Sequence, residues 1–226
     1  MSNIEVLSIE GNIGSGKSTL MAYLRDYYKD NVHVVFLKEP VDEWEKIKDE
    51  NGVTILEKFY DDPEKYSFSF QMMAYASRLQ VLRNVLKSID SDKKTKIITE
   101  RSLYTDKMVF AKMLYDTKKI EHINYMIYLT WFNTFSQEFP VHKIVYVKTE
   151  PEKCHSRILK RAREGENLIS LEYLKTSDQY HNNMLDKSST NCVCRQQLIL
   201  DGNVDIYQNE NQIKKWISDI DAFVIL

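Results

Sequence analysis

The chain has 226 residues, of which 43% are hydrophobic, 28% charged and 12% aromatic. Those proportions are globular and exclude a disordered, collagen-like or coiled-coil chain, and one α/β unit of such length buries roughly 70–75% of its unfolded surface. Lys and Arg number 31 against 33 Asp and Glu, a net charge of −2, without the basic excess of a nucleic-acid or membrane-surface binder.

Apolar strand-like runs alternate with helical patterns. Residues 4–10 read as a buried strand, followed by a helix over about 17–29. Residues 33–38 (HVVFLK) read as a second strand and 66–89 as a long helix with apolar residues at i, i+3, i+4. A third strand is expected at 96–99 (KIIT), then helices over about 103–115 and 121–138. A fourth strand is expected at 142–148. Thr149-Glu150-Pro151-Glu152 then reads as a helix start, with a cap residue, Pro in the first turn and acids near the positive end. A short strand at 196–201 and a helix at 211–223 close the chain. Repeated β-then-α units with apolar strands predict an α/β fold, a five-stranded parallel sheet covered by helices on both faces.

No repeat, low-complexity tract or Pro/Gly/Ser linker interrupts residues 1–226, so one domain is expected. Cys154, Cys192 and Cys194 are odd in number, and the last two are too close to bridge, so all three read as reduced thiols. The first strand starts at once, which leaves no room for a leader ahead of it, and no apolar run approaches the ~20 residues that span a bilayer. A soluble cytoplasmic or nuclear protein is expected.

Three of the six glycines fall in Gly11-Asn12-Ile13-Gly14-Ser15-Gly16-Lys17-Ser18-Thr19, a match to G-x-x-x-x-G-K-[ST]. The segment follows a buried strand and opens a helix, as phosphate binding requires: glycines let backbone N–H groups curl around the anion, and the helix N-terminus adds its positive end. Lys17 is expected at the β/γ phosphates and Ser18 on Mg²⁺.

Open parallel sheets bind ligands beyond the carboxyl ends of their strands. Strand two ends at Glu39-Pro40, strand three at Glu100-Arg101-Ser102 and strand five at Asp201-Gly202-Asn203. An alcohol that accepts a phosphoryl group needs a carboxylate for its proton and a cation near the developing charge. Glu39 is the candidate base, Arg101 the candidate clamp and Glu100 the second Mg²⁺ contact. Arg157, Arg161 and Arg163 fit either a solvated helix end or a charged lid over about 161–168 that closes on the triphosphate. Aromatics crowd 44–70; most read as core, a few as stackers for a flat ligand.

With these residues in view, the sequence resembles the animal-type deoxynucleoside kinase family, the group of deoxycytidine and deoxyguanosine kinases. The match runs through IEGNIGSGKST (9–19), EPVDEW (39–44), FYDDPEKYSFSFQ (59–71), SRL (77–79), ERSLYTD (100–106), RAREGE (161–166), LEYL (171–174) and LDGNVD (200–205). The resemblance implies a P-loop kinase fold and a homodimer that uses ATP and Mg²⁺ to phosphorylate a deoxynucleoside 5′-hydroxyl in nucleotide salvage. By position, Glu39 and Arg101 would hold the 5′-hydroxyl, with Glu39 as base. Glu100 would serve the metal, or take the proton instead. Tyr60 and Glu166 would hold the 3′-hydroxyl, Gln71 the base edge, and Trp44, Phe70 and Phe110 would line the base. Arg157 and Arg161 would act from the lid. Asn203, Asp205 and Ile206 would lie in the loop against the donor base.

Thymidine-accepting members look apolar where this chain has Arg78 and Asp106, and bulkier where it has Ala74, so deoxycytidine or a deoxypurine nucleoside is the expected substrate. Ile206 and Met73 each stand where the relatives tend to carry an aromatic residue, a departure that would broaden specificity. Two other readings share the phosphate loop. A thymidylate kinase-like monophosphate kinase would need arginines and no base at the acceptor. A non-catalytic nucleotide-binding subunit should have lost Lys17, Glu39 or Arg101.

Overall fold

A computed structural model describes residues 3–90, 92–163, 165–206 and 209–225, so Glu164 of the expected lid lies outside the described residues. Strands β1 (Ile4–Glu10), β2 (Val34–Leu37), β3 (Thr95–Glu100), β4 (Lys143–Lys148) and β5 (Gln197–Asp201) form one sheet in the order β2-β3-β1-β4-β5. Every pairing is parallel, with Ile9 opposite Glu100 on β3 and Glu10 opposite Tyr146 on β4. The helices are α1 (Lys17–Tyr27), α2 (Val41–Trp44), α3 (Ile55–Asp61), α4 (Pro63–Ser88), α5 (Leu103–Thr105), α6 (Lys112–Asp116), α7 (His122–Phe135), α8 (Pro151–Arg161), α9 (Leu171–Leu185) and α10 (Glu210–Ile225).

The central strand carries apolar side chains in both directions, as burial on two faces demands. Val6 packs with Leu37 and Ile97 beneath α4 and α7. Leu7, Ile9 and Ile98 pack on the opposite side with Leu20 and Leu24 of α1 and Trp216 of α10. The chain runs from β1 toward β2 on one side and from β3 to β4 on the other. A crevice therefore opens where the carboxyl ends of β1, β3 and β4 meet.

Local departures from expectation have physical causes. Helix α4 begins ahead of Tyr66, because the Asp62 side chain accepts the Lys65 N–H and Pro63 occupies the first turn. The expected helix over 103–115 is interrupted: residues Asp106–Ala111 form a π-helical turn between α5 and α6. Thr149 does not cap α8. Glu150 stands at the cap without a side-chain bond, and the Thr149 hydroxyl instead donates to the Ser15 carbonyl at 3.1 Å. Helices α2 and α3 were not expected; α3 starts in a capping box, with Thr54 accepting from Glu57 N and Glu57 accepting from Thr54 N.

Candidate active site

The glycines of the loop between β1 and α1 are there for space and for backbone sign. At Gly11 (φ +149°) a Cβ would stand 2.7 Å from the Ser15 Oγ and the Val147 carbonyl. At Gly14 (φ +77°) it would stand 2.6 Å from the Cys154 carbonyl. The loop is tied down from three directions. Asn12 Nδ2 donates to the Leu174 carbonyl at 2.8 Å, and Thr149 and Arg157 both donate to the Ser15 carbonyl. Residues 13–19 line a cavity of about 550 Å³, while Gly11 and Asn12 lie beneath it and offer their carbonyls to Arg101 and Lys17.

Lys17 is buried, and its Nζ donates to the Asn12 carbonyl at 2.8 Å. Burial, and then the Arg101 charge, lower its pKa to about 7. Among the described residues Lys17 has no ion-pair partner, while Arg101, Arg157, Arg161 and Arg163 line the same cavity. Such a set fits a polyanion. The Ser18 hydroxyl lies 2.6 Å from Glu100 Oε1. Those two oxygens suit Mg²⁺, which keeps several waters and takes other ligands from substrate phosphates.

Across the cavity Glu39, at the end of β2, is held by two arginines. Its Oε1 accepts a hydrogen bond from Arg78 Nη2 at 2.8 Å and forms an ion pair with Arg101, whose Nε lies 3.2 Å away. Burial pushes the Glu39 carboxyl up, but Arg101, Arg78 and Lys17 together outweigh it and leave the group below the usual carboxylate range. Arg101 follows β3 with φ +64°, a left-handed conformation that costs a residue with a Cβ roughly 1–3 kcal/mol. Its side chain is fixed by Glu39, by the Gly11 carbonyl at 2.7 Å and by the Phe110 ring, whose centroid lies 5.0 Å from the guanidinium carbon.

Apolar and amide groups build the remaining wall. Phe70 stacks on Phe59 at 4.6 Å and meets Trp44 edge-on at 5.3 Å. Helix α4 adds Gln71 and Ala74, and the π turn brings Asp106 and Phe110 to the same lining. Among the described residues the Gln71 Oε1 is buried without a hydrogen-bond partner, a cost of about 1–3 kcal/mol unless a ligand or water satisfies it. Tyr60 reaches the cavity as a neutral phenol, its pKa raised well above the ordinary value by burial, Tyr173 and Glu166. Glu166 is buried, its carboxylate gripped by Arg161 Nε at 3.0 Å and Arg163 Nη1 at 3.2 Å.

Besides Gly11 and Asn12, two of the residues expected at the site stand outside the cavity lining. Arg78 lies behind it, its guanidinium shared among Asp106, Glu39 and the Glu100 carbonyl. Asn203 faces the start of α8, where its Oδ1 accepts the Glu150 N–H; Val204, Asp205 and Ile206 of the same loop reach the lining. Sequence reasoning missed Trp216 of α10, which joins Ile206 there, because a tryptophan on an amphipathic helix reads as core. It also missed His181 of α9, which lies fully buried against Arg101.

Comparison with known proteins points the same way as the geometry. A family model described as deoxynucleoside kinase matches residues 7–225. The chain is 32% identical over 221 residues to a probable deoxycytidine kinase of fowlpox virus, covering 96% of this chain and 87% of that protein. It is 34% identical over 199 residues to the deoxycytidine kinase of Homo sapiens, covering 80% and 75%. It is 30% identical over 202 residues to the mitochondrial deoxyguanosine kinase of Xenopus laevis, covering 83% and 75%.

Proposed function

The chain belongs to the deoxynucleoside kinase family, and from that premise we propose that it transfers the γ-phosphoryl group of ATP, with Mg²⁺, to a deoxynucleoside 5′-hydroxyl, favouring deoxycytidine or deoxypurine nucleosides over thymidine. We further propose that it works as a one-domain homodimer in nucleotide salvage, with residues 161–168 as its lid, in the cytoplasm. Among the described residues no helix is long and apolar enough to cross a membrane.

The observation that carries the reading is the opposition across one cavity of the Lys17 phosphate loop and a carboxylate, Glu39, held between two arginines. Glu39, ionised at neutral pH, accepts the proton of the 5′-hydroxyl. Its low basicity suits a loose transfer, in which the hydroxyl proton becomes acidic only as the new P–O bond forms. Arg101 steadies the charge on the transferring oxygens, Lys17 the donor phosphates, and Arg157 and Arg161 the donor side from the lid. Ser18 and Glu100 would hold Mg²⁺, which supplies charge neutralisation across the donor oxygens.

The base preference rests on Arg78 and Asp106. Their ion pair turns a carboxylate, not a methyl-sized space, toward the cavity, and Ala74 leaves room beside it. Gln71 with its unsatisfied Oε1 supports recognition of an amino edge. The test is a phosphoryl-transfer assay of the four deoxynucleosides and deoxycytidine monophosphate with ATP and Mg²⁺. Turnover of deoxycytidine or a deoxypurine nucleoside above thymidine is the expected result. Turnover of the monophosphate alone would move the protein to the monophosphate kinases.

A further inference from the structure

His181 is a buried imidazole that the transfer reaction does not use directly. It sits on α9 with no exposure, stacked on Tyr146 of β4 with 6.4 Å between ring centroids and edge-on to Phe110 at 6.1 Å. Its Nδ1 lies 2.8 Å from the Ser177 carbonyl, which only accepts, so Nδ1 carries the proton. Its Nε2 lies 3.4 Å from Arg101 Nη1, which only donates, so Nε2 offers its lone pair. These two contacts agree on one tautomer, while the Ser177 hydroxyl, 3.5 Å from Nδ1, and the Gly11 carbonyl beside the ring are the groups that would suit the other.

The guanidinium needs such a partner. Arg101 leaves β3 in a left-handed backbone conformation, so its side chain is launched at an unusual angle and must be caught. Glu39 takes Nε, the Gly11 carbonyl and His181 share Nη1, and the Phe110 ring lies under the plane. Among the described residues Nη2 makes no hydrogen bond, which leaves it to a ligand in the cavity that Arg101 lines.

We propose that His181 is a positioning residue for Arg101: its neutral Nε2 accepts the Nη1 hydrogen and fixes the guanidinium rotation that turns Nη2 toward the acceptor. The proposal rests on the reading of Arg101 as the cation beside the 5′-hydroxyl. Burial, followed by the Arg101 charge, lowers the imidazole pKa to about 3, so the ring stays neutral and adds no second positive charge. A 3.4 Å contact before substrate binds is of the kind that tightens when the reacting groups are in place.

The experiment has two arms. In the first, ¹⁵N-labelled histidines of the wild-type protein are observed without substrate. The expected pattern for His181 is a protonated Nδ1 and a bare Nε2; a protonated Nε2, donating instead to the Gly11 carbonyl, overturns the proposal. In the second, His181→Phe keeps the stacked ring and deletes the acceptor, whereas His181→Gln keeps an acceptor near the same place. The Phe variant should lose about ten- to a hundredfold in kcat with deoxynucleoside KM little changed, as a displaced catalytic group does. The Gln variant should recover most of that loss. On an Arg101→Lys background the Phe change should cost less than about threefold, because coupled residues are not additive. A full loss on that background, or a folded Phe variant with wild-type kcat, overturns the proposal. If the deoxynucleoside reading itself fails, wild-type protein shows no turnover with any of the four deoxynucleosides, and the tautomer arm decides the Arg101–His181 contact by itself.

Discussion

Arg78 Nη2 lies 2.8 Å from Glu39 Oε1 while Nε of the same guanidinium lies 2.9 Å from Asp106 Oδ2. One buried cation therefore joins the carboxylate at the end of β2 to the carboxylate of the π turn. The residue expected to read the nucleobase also orients the proposed proton acceptor. On that reading base choice and catalysis share a side chain, and substitutions at one end should be felt at the other.

The first consequence concerns Glu39 itself. Glu39→Gln keeps the shape and one acceptor oxygen but removes the base. It should lower kcat by roughly 10²–10⁴-fold while circular dichroism shows a folded protein. Turnover at the wild-type rate would transfer the proton to Glu100, the neighbouring carboxylate on Ser18.

The second concerns the base. Arg78→Met alone would strand the buried Asp106 carboxyl, whose pKa burial already pushes up against the pull of Arg78. The combined change Ala74→Val, Arg78→Met, Asp106→Ala avoids that. It should raise the ratio of thymidine to deoxycytidine kcat/KM, while kcat for both falls because Glu39 loses one of its two arginines. Steady-state kinetics on both nucleosides decide it; an unchanged ratio detaches the pair from base choice.

Why some of this was legible from residues alone and some not has a local answer. Gly11–Thr19, Glu39, Glu100 and Arg101 sit at strand ends, where apolar runs stop and the sheet fixes the position of the next side chain. The bond from Arg78 to Glu39 spans 39 positions and depends on where α4 lies over the sheet, which no local spacing records. The π turn was invisible because its apolar pattern also suits an α-helix; only the packing of Asp106 and Phe110 into the cavity reveals the wider turn. His181 is one histidine in a polar helix, and its meaning appears only when α9 is laid beside Arg101.

Lys17 yields a pH prediction. A lysine with a pKa near 7 is largely neutral at pH 8.5 in the free protein, and a triphosphate beside it restores the charge. Below pH 7 the amine is already protonated and binding takes up nothing. Above pH 7 binding takes up a proton, so affinity for ATP should fall by up to about tenfold per pH unit. Calorimetry at pH 8.5 in buffers of different ionisation enthalpy should show uptake of up to about one proton. An enthalpy independent of the buffer would mean that Lys17 is charged before the nucleotide arrives.

The proposed homodimer has a surface to match. Ile123, Met126, Ile127 and Trp131 form an exposed stripe at i, i+3, i+4 and i+8 on α7, with Trp131 half exposed. A paired Ile127→Glu, Trp131→Glu change faces charges across a two-fold axis. Sedimentation should show a dimer for the wild type and a monomer for the variant. A wild type that sediments as a monomer at micromolar concentration removes the assembly.

Glu166 is the proposed link between the lid and the sugar. Its carboxylate is buried and held by Arg161 and Arg163, so one acidic side chain gathers both lid arginines next to the Tyr60 phenol. If it also accepts a hydrogen bond from the 3′-hydroxyl, lid closure depends on the right sugar being present, and substrate binding helps to assemble the site. A 2′,3′-dideoxynucleoside would leave that bond unmade at a cost of about 1–3 kcal/mol, so it should be roughly ten- to a hundredfold poorer in kcat/KM. Glu166→Ala should shrink that discrimination toward unity. The same change frees Arg161 and Arg163, so kcat should fall for both substrates as well; the ratio, and not the rate, isolates the sugar contact. Measuring both nucleosides on both proteins gives the answer. A ratio that stays the same in the variant assigns Glu166 to holding the lid arginines alone and leaves the 3′-hydroxyl to Tyr60.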